Sequence, residues 1–217
     1  MDIAKLPLVP VRNETMPIKL PQRRYREIEQ SVLDLYEKTD VHTIPFDVLT
    51  MASKLGIQLI SYISMSREAQ QWAKKISKDA FMPWGMDDKP IAIFYNGKMP
   101  PCRLKFTIMH ELAHACLRHK QHSKLAEVEA NAFASTALCP LPLMERYGIE
   151  DAEALAHVFE ISEECASHRL EQYTKWRRLP IIYRNVAFGM AVCNRFHLSM
   201  PYQPSLFSTP DIKRKCC

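Results

Sequence analysis

The residues with the clearest chemical potential in this sequence are two histidines and a glutamate in the run FTIMHELAH, residues 106–114. His110 and His114 are four residues apart, and Glu111 directly follows the first histidine. Side chains four apart on an α-helix lie on one face, so both imidazoles can reach one ion. Neutral imidazole is a good Zn²⁺ ligand, and a glutamate in this position is placed to act on water rather than to bind the metal. The spacing therefore predicts a zinc site with His110 and His114 as ligands and Glu111 as the catalytic residue.

The apolar residues around the motif predict the helix that must carry it. They recur at helical spacing between Leu104 and Arg118 and give the helix an apolar body. A buried helix that turns two histidines and a glutamate toward one place needs a group that satisfies them. This favours a metal site over a structural pair of histidines.

A third protein ligand is needed, and a catalytic zinc keeps one position open for water. A second helix is predicted over residues 124–138, capped by Ser123, and it carries Glu127 and Glu129. Glu127 shares a face with small residues that let the two helices approach closely, and with Asn131, which could hydrogen-bond a ligand histidine. We therefore predict Glu127 as the third ligand and keep Glu129, which lies on another face, as its competitor.

Two more histidines, His119 and His122, follow the motif closely. A third histidine ligand six residues after His114 is one known arrangement, but Lys120 stands at that position. We expect His119 and His122 to lie on an exposed turn rather than to bind the metal.

The order of the remaining elements predicts an α+β fold with a small early sheet followed mostly by helices. Helices are expected over residues 23–37, 46–55, 104–118, 124–138, 151–159 and 162–177, and strands over 57–60 and 90–95. Residues 66–78 give no clear pattern, and the prolines at 140 and 142 are expected to end the second motif helix. The predicted organisation is an extended tail (1–20), a domain that carries the predicted zinc site (21–145), a helical module (146–178) and an irregular tail (179–217).

The helical module has the shape of a helix-turn-helix, with two short helices that meet at Ile161 and Ser162. Glu163, Glu164 and Glu171 argue against a DNA-reading role because carboxylates repel phosphates. We expect packing or docking to a protein here, and direct nucleic-acid binding is not favoured.

Composition sets the broad class of the protein. The 217 residues carry 29 Lys and Arg against 24 Asp and Glu, a net charge of +5 that permits acidic partners without demanding them. The first residues lack a secretory pattern, no apolar run approaches the ~18 residues needed to span a bilayer, and the seven cysteines form no CxxC pair. We expect a cytoplasmic protein with free thiols and no membrane contact. Cys193, His197, Cys216 and Cys217 do not have the spacing of a standard second zinc site.

Two features of substrate handling stay open in the sequence. The strand at 91–95 could pair with an extended substrate or be an ordinary core strand. The donor that stabilises the oxyanion could be Tyr95, Tyr147, His157 or Arg169, and the sequence does not rank them.

The runs RLKFTIMHELAH (103–114), EVEANAFA (127–134) and LCP (138–140) resemble the ImmA/IrrE metallopeptidases. The likeness covers roughly residues 22–178. It implies a gluzincin-like minimal metallopeptidase fold with a small sheet and an HExxH helix, followed by the helix-turn-helix-like pair. Two positions depart from the common family pattern: Cys139 stands in place of Met, and Ala113 in place of Gly.

The resemblance also implies a function and a set of site residues. His110, His114 and Glu127 match the ligand positions of the family and Glu111 matches its catalytic glutamate. The implied activity is a zinc-dependent endopeptidase of prokaryotic or phage origin that cleaves a protein, a DNA-binding transcriptional repressor of a mobile element or stress regulon. Two alternatives remain: a helix-turn-helix regulator or binding module with an inert peptidase-like domain, and a metal-stabilised scaffold without an open coordination position.

Overall fold

Nine α-helices and one three-stranded sheet make up the part of the chain that the computed structural model describes, residues 18–87 and 89–199. The helices are α1 Gln22–Thr39, α2 Val48–Lys54, α3 Arg67–Ile76, α4 Pro101–Cys116, α5 Lys124–Leu138, α6 Leu141–Tyr147, α7 Ala152–Phe159, α8 Glu163–Arg178 and α9 Val186–Arg195. The strands are β1 Gln58–Ser61, β2 Ala80–Phe81 and β3 Ala92–Tyr95. This mainly helical structure with a small sheet agrees with the α+β expectation.

The sheet has the order β1-β3-β2, so β3 is the central strand. β1 pairs with it in parallel, Gln58 opposite Ala92, and β2 pairs with it antiparallel, Phe81 opposite Phe94. Ala92 and Ile93 are fully buried. Because β1 and β2 occupy the two edges of β3, this strand is an ordinary core strand, the second of the two alternatives that the sequence left open, and β1 and β2 are the edge strands.

The helices α4 and α5 form the hairpin that the two motifs predict. The Ser123 hydroxyl accepts a hydrogen bond from the backbone N–H of Ala126 and starts α5 at the expected residue. Ala130 and Ala134 on α5 are fully buried, so no long side chain separates this helix from α4. α4 begins at Pro101, three residues earlier than predicted, because proline at the first helical position loses no hydrogen bond.

The helix α1 closes the outer side of this hairpin. Ile28 and Val32 are fully buried, and the Tyr36 hydroxyl donates a hydrogen bond to the Ala137 carbonyl of α5 at 2.5 Å. This bond satisfies a carbonyl near the end of α5, where the helix no longer supplies donors.

The pair α7 and α8 lies where the sequence placed two helices. α7 ends at Phe159, and the residue after it, Glu160, has left-handed backbone angles. The Ser162 side chain caps α8 by accepting from the Cys165 N–H. Leu155 and Phe159 are fully buried in the same core as the residues of α4 and α5. The boundary between a 21–145 domain and a 146–178 module stays a prediction, and the two segments share this core.

Two helices were not predicted between residues 66 and 147. α3 is a mainly polar helix whose cap, the Ser66 hydroxyl, accepts from the Ala69 N–H. Its few apolar residues recur at helical spacing, a signal that the prediction missed: Ala69, Trp72, Ala73 and Ile76. Pro140 and Pro142 do end α5, but Pro142 lies in the first turn of α6, where a proline is tolerated.

The expectation of irregular structure over 179–217 is wrong for residues 186–195, which form α9. The Asn185 side chain accepts from the Phe188 N–H and caps this helix, and Phe188 and Val192 are buried. The packing of α9 against α1 and α6 supplies the stabilisation that local sequence preference does not.

Several expectations lie outside the described residues: the tail over residues 1–17, and residues 200–217 with Cys216 and Cys217. Among the described helices, none is long and apolar enough to cross a membrane.

Replacing Phe159 by alanine tests whether α7 belongs to the same cooperative core as the motif helices. We expect a loss of about 3–5 kcal/mol in the free energy of unfolding, because a fully buried aromatic ring is removed. His157→Ala, on the exposed side of the same helix, should change that free energy by no more than about 0.5 kcal/mol. Urea unfolding followed by circular dichroism measures both, and a variant that unfolds in two separate steps would contradict a shared core.

Candidate metal centre

Three side chains from α4 and α5 converge at one place in the structure. The ligand-type atoms of His110, His114 and Glu127 all lie within 4.8 Å of one another. Nε2 of His110 is 3.1 Å from Nε2 of His114 and 3.2 Å from a carboxylate oxygen of Glu127, and Nε2 of His114 is 3.5 Å from the other oxygen. These are the three residues that the sequence places around zinc, and their role as ligands stays a prediction.

The separations between these atoms are those that a zinc site requires. Tetrahedral ligands at about 2.0–2.1 Å from Zn²⁺ lie about 3.3 Å from one another. Two imidazole nitrogens and one carboxylate are also a common donor set for this ion. The residues present therefore fit a zinc ion.

Hydrogen bonding orients the first histidine of the group. Nδ1 of His110 lies 2.9 Å from Oδ1 of Asn131, one turn after Glu127 on α5. An amide oxygen can only accept, so Nδ1 carries the proton and Nε2 presents a lone pair toward His114 and Glu127. The predicted contact between Asn131 and a ligand histidine is present.

His114 is oriented by a series of contacts that extends through His119 and Glu129 to Arg24. Nδ1 of His114 lies 3.1 Å from Nδ1 of His119, and Nε2 of His119 lies 2.9 Å from a carboxylate oxygen of Glu129. Arg24 on α1 then donates to both oxygens of Glu129, from Nε at 2.7 Å and Nη2 at 2.6 Å. These contacts connect α1 to the metal-site helices.

This arrangement corrects the expectation that His119 lies on an exposed turn, since its side chain is 10% exposed. Arg118 adopts a left-handed conformation and the His119 N–H donates to the His114 carbonyl at 2.9 Å, so the chain folds back over the end of α4. His122, in contrast, is exposed as expected. Glu129 points to His119 and Arg24 and is not part of the converging group, which leaves Glu127 there.

Glu111 lies in a cleft of about 850 Å³ beside the three converging side chains. The cleft is bounded by β2 and the residues around it, by α4 and by the α4–α5 connection. Its apolar wall includes Phe81, Met82, Trp84 and Phe106. The position of Glu111 next to His110 leaves its carboxylate available to a reacting group in the cleft.

The electrostatics of the site differ from one group to the next. Burial raises the pKa of the Glu111 carboxyl to about 7, and the nearby charge of Glu127 adds to this shift while His110 opposes it. Burial, followed by the neighbouring His110, lowers the pKa of His114 to about 4, which favours the neutral imidazole that a metal needs. Hydrogen bonds from His110 and His122 hold the pKa of Glu127 well below its usual range.

The four oxyanion donors considered from the sequence do not line this cleft. Arg169 is buried and donates to the Cys139 carbonyl at 2.7 Å, and Tyr147 is exposed on α6. His122 does line the cleft, with Nδ1 3.7 Å from a carboxylate oxygen of Glu127. His122 could not be singled out as a donor from the sequence, because its spacing from the motif does not place it on the same helix face.

A comparison with known families gives a match over the same segment. Residues 74–171 match the family model Peptidase_M78, described as the IrrE N-terminal-like domain. The match begins in α3, ends in α8 and includes every residue of the converging group. No curated protein matches the chain. The resemblance to ImmA/IrrE metallopeptidases is therefore confirmed over these residues.

Addition of Zn²⁺ should stabilise the folded chain, because the three donors meet only when α4 and α5 are packed together. At a free zinc concentration 100 times the dissociation constant, the free energy of unfolding should rise by about 2.7 kcal/mol. Glu127→Gln should reduce this gain, since an amide is a weaker ligand than a carboxylate, whereas Glu150→Gln, at a carboxylate 78% exposed on the surface, should retain it.

Thermal unfolding with zinc and with a chelator measures this effect. Superimposable curves for the unmodified chain under the two conditions would show that the three side chains do not form a metal site.

Proposed function

We propose that this protein, whose residues 74–171 match the IrrE N-terminal-like domain of Peptidase_M78, is a zinc-dependent endopeptidase that acts on a protein substrate. The family supports a metallopeptidase-like domain. The observation that carries the proposal is the convergence of two imidazole nitrogens and one carboxylate beside a second glutamate in an open cleft.

His110, His114 and Glu127 would hold the zinc ion. When bound, zinc acts as a Lewis acid that lowers the pKa of water toward about 7 and polarises a carbonyl group. Asn131 keeps the His110 ring in the orientation that directs Nε2 to the ion.

Glu111 is the general base and acid of the proposed reaction. Its carboxylate takes a proton from the attacking water as the new C–O bond forms at the peptide carbonyl. It then delivers that proton to the amine nitrogen as the C–N bond breaks, so the products are a carboxylic acid and a free amine. A pKa near the working pH suits a group that must both accept and release a proton.

The cleft orients the substrate. β2 is an edge strand of the sheet and lines the cleft, so an extended peptide can lie along it and pair with its backbone. The wall of Phe81, Met82, Trp84 and Phe106 accommodates apolar side chains of that peptide. His122 at the cleft surface is available to donate a hydrogen bond to the oxygen of the attacked carbonyl.

We infer from the resemblance that the substrate is a DNA-binding transcriptional repressor. The exposed side of α8 favours this role over that of a DNA-reading regulator, because Glu163, Glu164 and Glu171 are all exposed there and would repel phosphates. The same acidic surface is compatible with contact to the basic surface of a DNA-binding protein.

Glu111→Gln tests the proposed chemistry directly. We expect cleavage to fall by about 10²–10⁴-fold, because the amide cannot take up the proton, while zinc binding is retained. The experiment is incubation of the zinc-loaded protein with DNA-binding repressors, taken first from among the products of neighbouring genes, with the cleaved bond identified by mass spectrometry.

Glu153→Gln, an exposed carboxylate on α7, serves as the matched control and should cleave as the unmodified protein does. Cleavage that persists in Glu111→Gln would contradict the role of Glu111. Tight zinc binding by a chain that cleaves neither the repressor nor any unfolded protein would favour the metal-stabilised scaffold instead.

A further inference from the structure

We propose that His119, Glu129 and Arg24 are positioning residues that hold the neutral His114 ring, through hydrogen bonds, in the tautomer and orientation in which its Nε2 lone pair faces the metal. The inference rests on the proposed function, because it assigns a role relative to the zinc ligands. Its basis is a continuous series of hydrogen bonds from α1, through α5 and the α4–α5 connection, to His114.

The direction of each hydrogen bond follows from the chemistry at the Arg24 end. A guanidinium group can only donate, and Arg24 donates from two nitrogens to the two oxygens of Glu129. The carboxylate of Glu129 accepts, so the remaining contact at 2.9 Å is a donation from Nε2–H of His119. A neutral His119 that carries its proton on Nε2 has an acceptor lone pair on Nδ1.

The lone pair on Nδ1 of His119 determines which ring nitrogen of His114 carries the proton. Nδ1 of His119 accepts from Nδ1–H of His114 across 3.1 Å, and a neutral His114 that is protonated on Nδ1 has its lone pair on Nε2. Nε2 is the atom that faces His110 and Glu127. The proton positions along the series are thus set from its far end, and the result is a ligand atom ready for a cation.

The low solvent exposure of His119 and Glu129 strengthens the hydrogen bonds that they make. The side chains of His119 and Glu129 are 10% and 9% exposed, so water competes little for their polar atoms. Glu129 also has the partners it needs without taking a place among the metal ligands. His110 obtains the same result from a single bond to Asn131, so the two histidines are oriented by separate devices.

Arg24 places the start of the series outside the matched family segment. It lies on α1, 105 residues away from Glu129 in the sequence and outside residues 74–171. The helix α1 therefore contributes to the metal site as well as to the core. None of the three residues lines the cleft, so they act through His114 and not on a substrate.

The first test compares two substitutions of His119. His119→Leu removes the acceptor for His114 and should weaken zinc binding by about 10–100-fold. His119→Asn keeps an acceptor, because its Oδ1 lies one bond beyond Cγ as Nδ1 of histidine does, and it should recover most of the lost affinity. Competition with a chromophoric chelator measures the affinities, and the visible spectrum of the Co²⁺-loaded chain reports whether the ligand set is intact.

The second test compares two carboxylate partners of Arg24. Glu129→Gln introduces an amide that can donate to His119 and reverse the series, which would put the proton on Nε2 of His114 and weaken zinc binding by about 10–100-fold. Glu27→Gln is the matched control, since Glu27 also pairs with Arg24, at 2.9 Å, but does not touch His119. It should leave zinc affinity and the Co²⁺ spectrum unchanged.

The outcomes separate this inference from the proposed function. Tight zinc binding by the unmodified chain together with unchanged affinity in His119→Leu and Glu129→Gln would overturn the positioning role and leave the peptidase proposal standing. An unmodified chain that binds no zinc would overturn both. Equal losses in His119→Leu and His119→Asn, with equal destabilisation of both metal-free variants by urea, would show a structural role only and overturn the inference.

Discussion

The close approach of α4 and α5 is the constraint on which the site depends. His110 and His114 lie on adjacent turns of α4. Glu127 reaches their Nε2 atoms only because its own helix, α5, packs directly against α4. Fully buried alanines at positions 130 and 134 allow this distance. A larger side chain at either alanine would separate the helices and move the carboxylate away from the imidazoles.

The packing of α4 against α5 also buries polar side chains, and hydrogen bonds to neighbouring groups offset the cost of that burial. Imidazoles and carboxylates next to an apolar core are costly unless each polar atom has a partner. Asn131 and His119 satisfy the Nδ1 atoms of the two site histidines, and Arg24 satisfies Glu129. Within the described residues, no buried side-chain nitrogen or oxygen is without a hydrogen-bond partner. The Nε2 atoms of the two histidines face each other and the Glu127 carboxylate, and this is where a cation would meet them.

Local pattern was sufficient to predict the part of the site carried by the two motif helices. Four-residue spacing gave the two histidines, and the face of α5 distinguished Glu127 from Glu129 because helical periodicity alone decides which side chains share a direction. The Ser123 cap was also visible, since it depends on an individual residue type.

The parts that could not be predicted depend on contacts distant in sequence. The role of Glu129 requires Arg24, and nothing in the local sequence connects two positions so far apart. The inward turn of His119 depends on the left-handed conformation of Arg118, which an arginine rarely adopts. Likewise, α9 is held by packing against α1 and α6, and its sequence alone has no strong helical pattern.

The most direct measurement of zinc binding by His110, His114 and Glu127 is X-ray absorption at the zinc edge of the zinc-loaded protein. We expect two histidine nitrogens and oxygen ligands at about 2.0–2.1 Å, with no sulfur in the coordination shell. Zinc–sulfur scattering at about 2.3 Å, which would come from one of the cysteines, would contradict it.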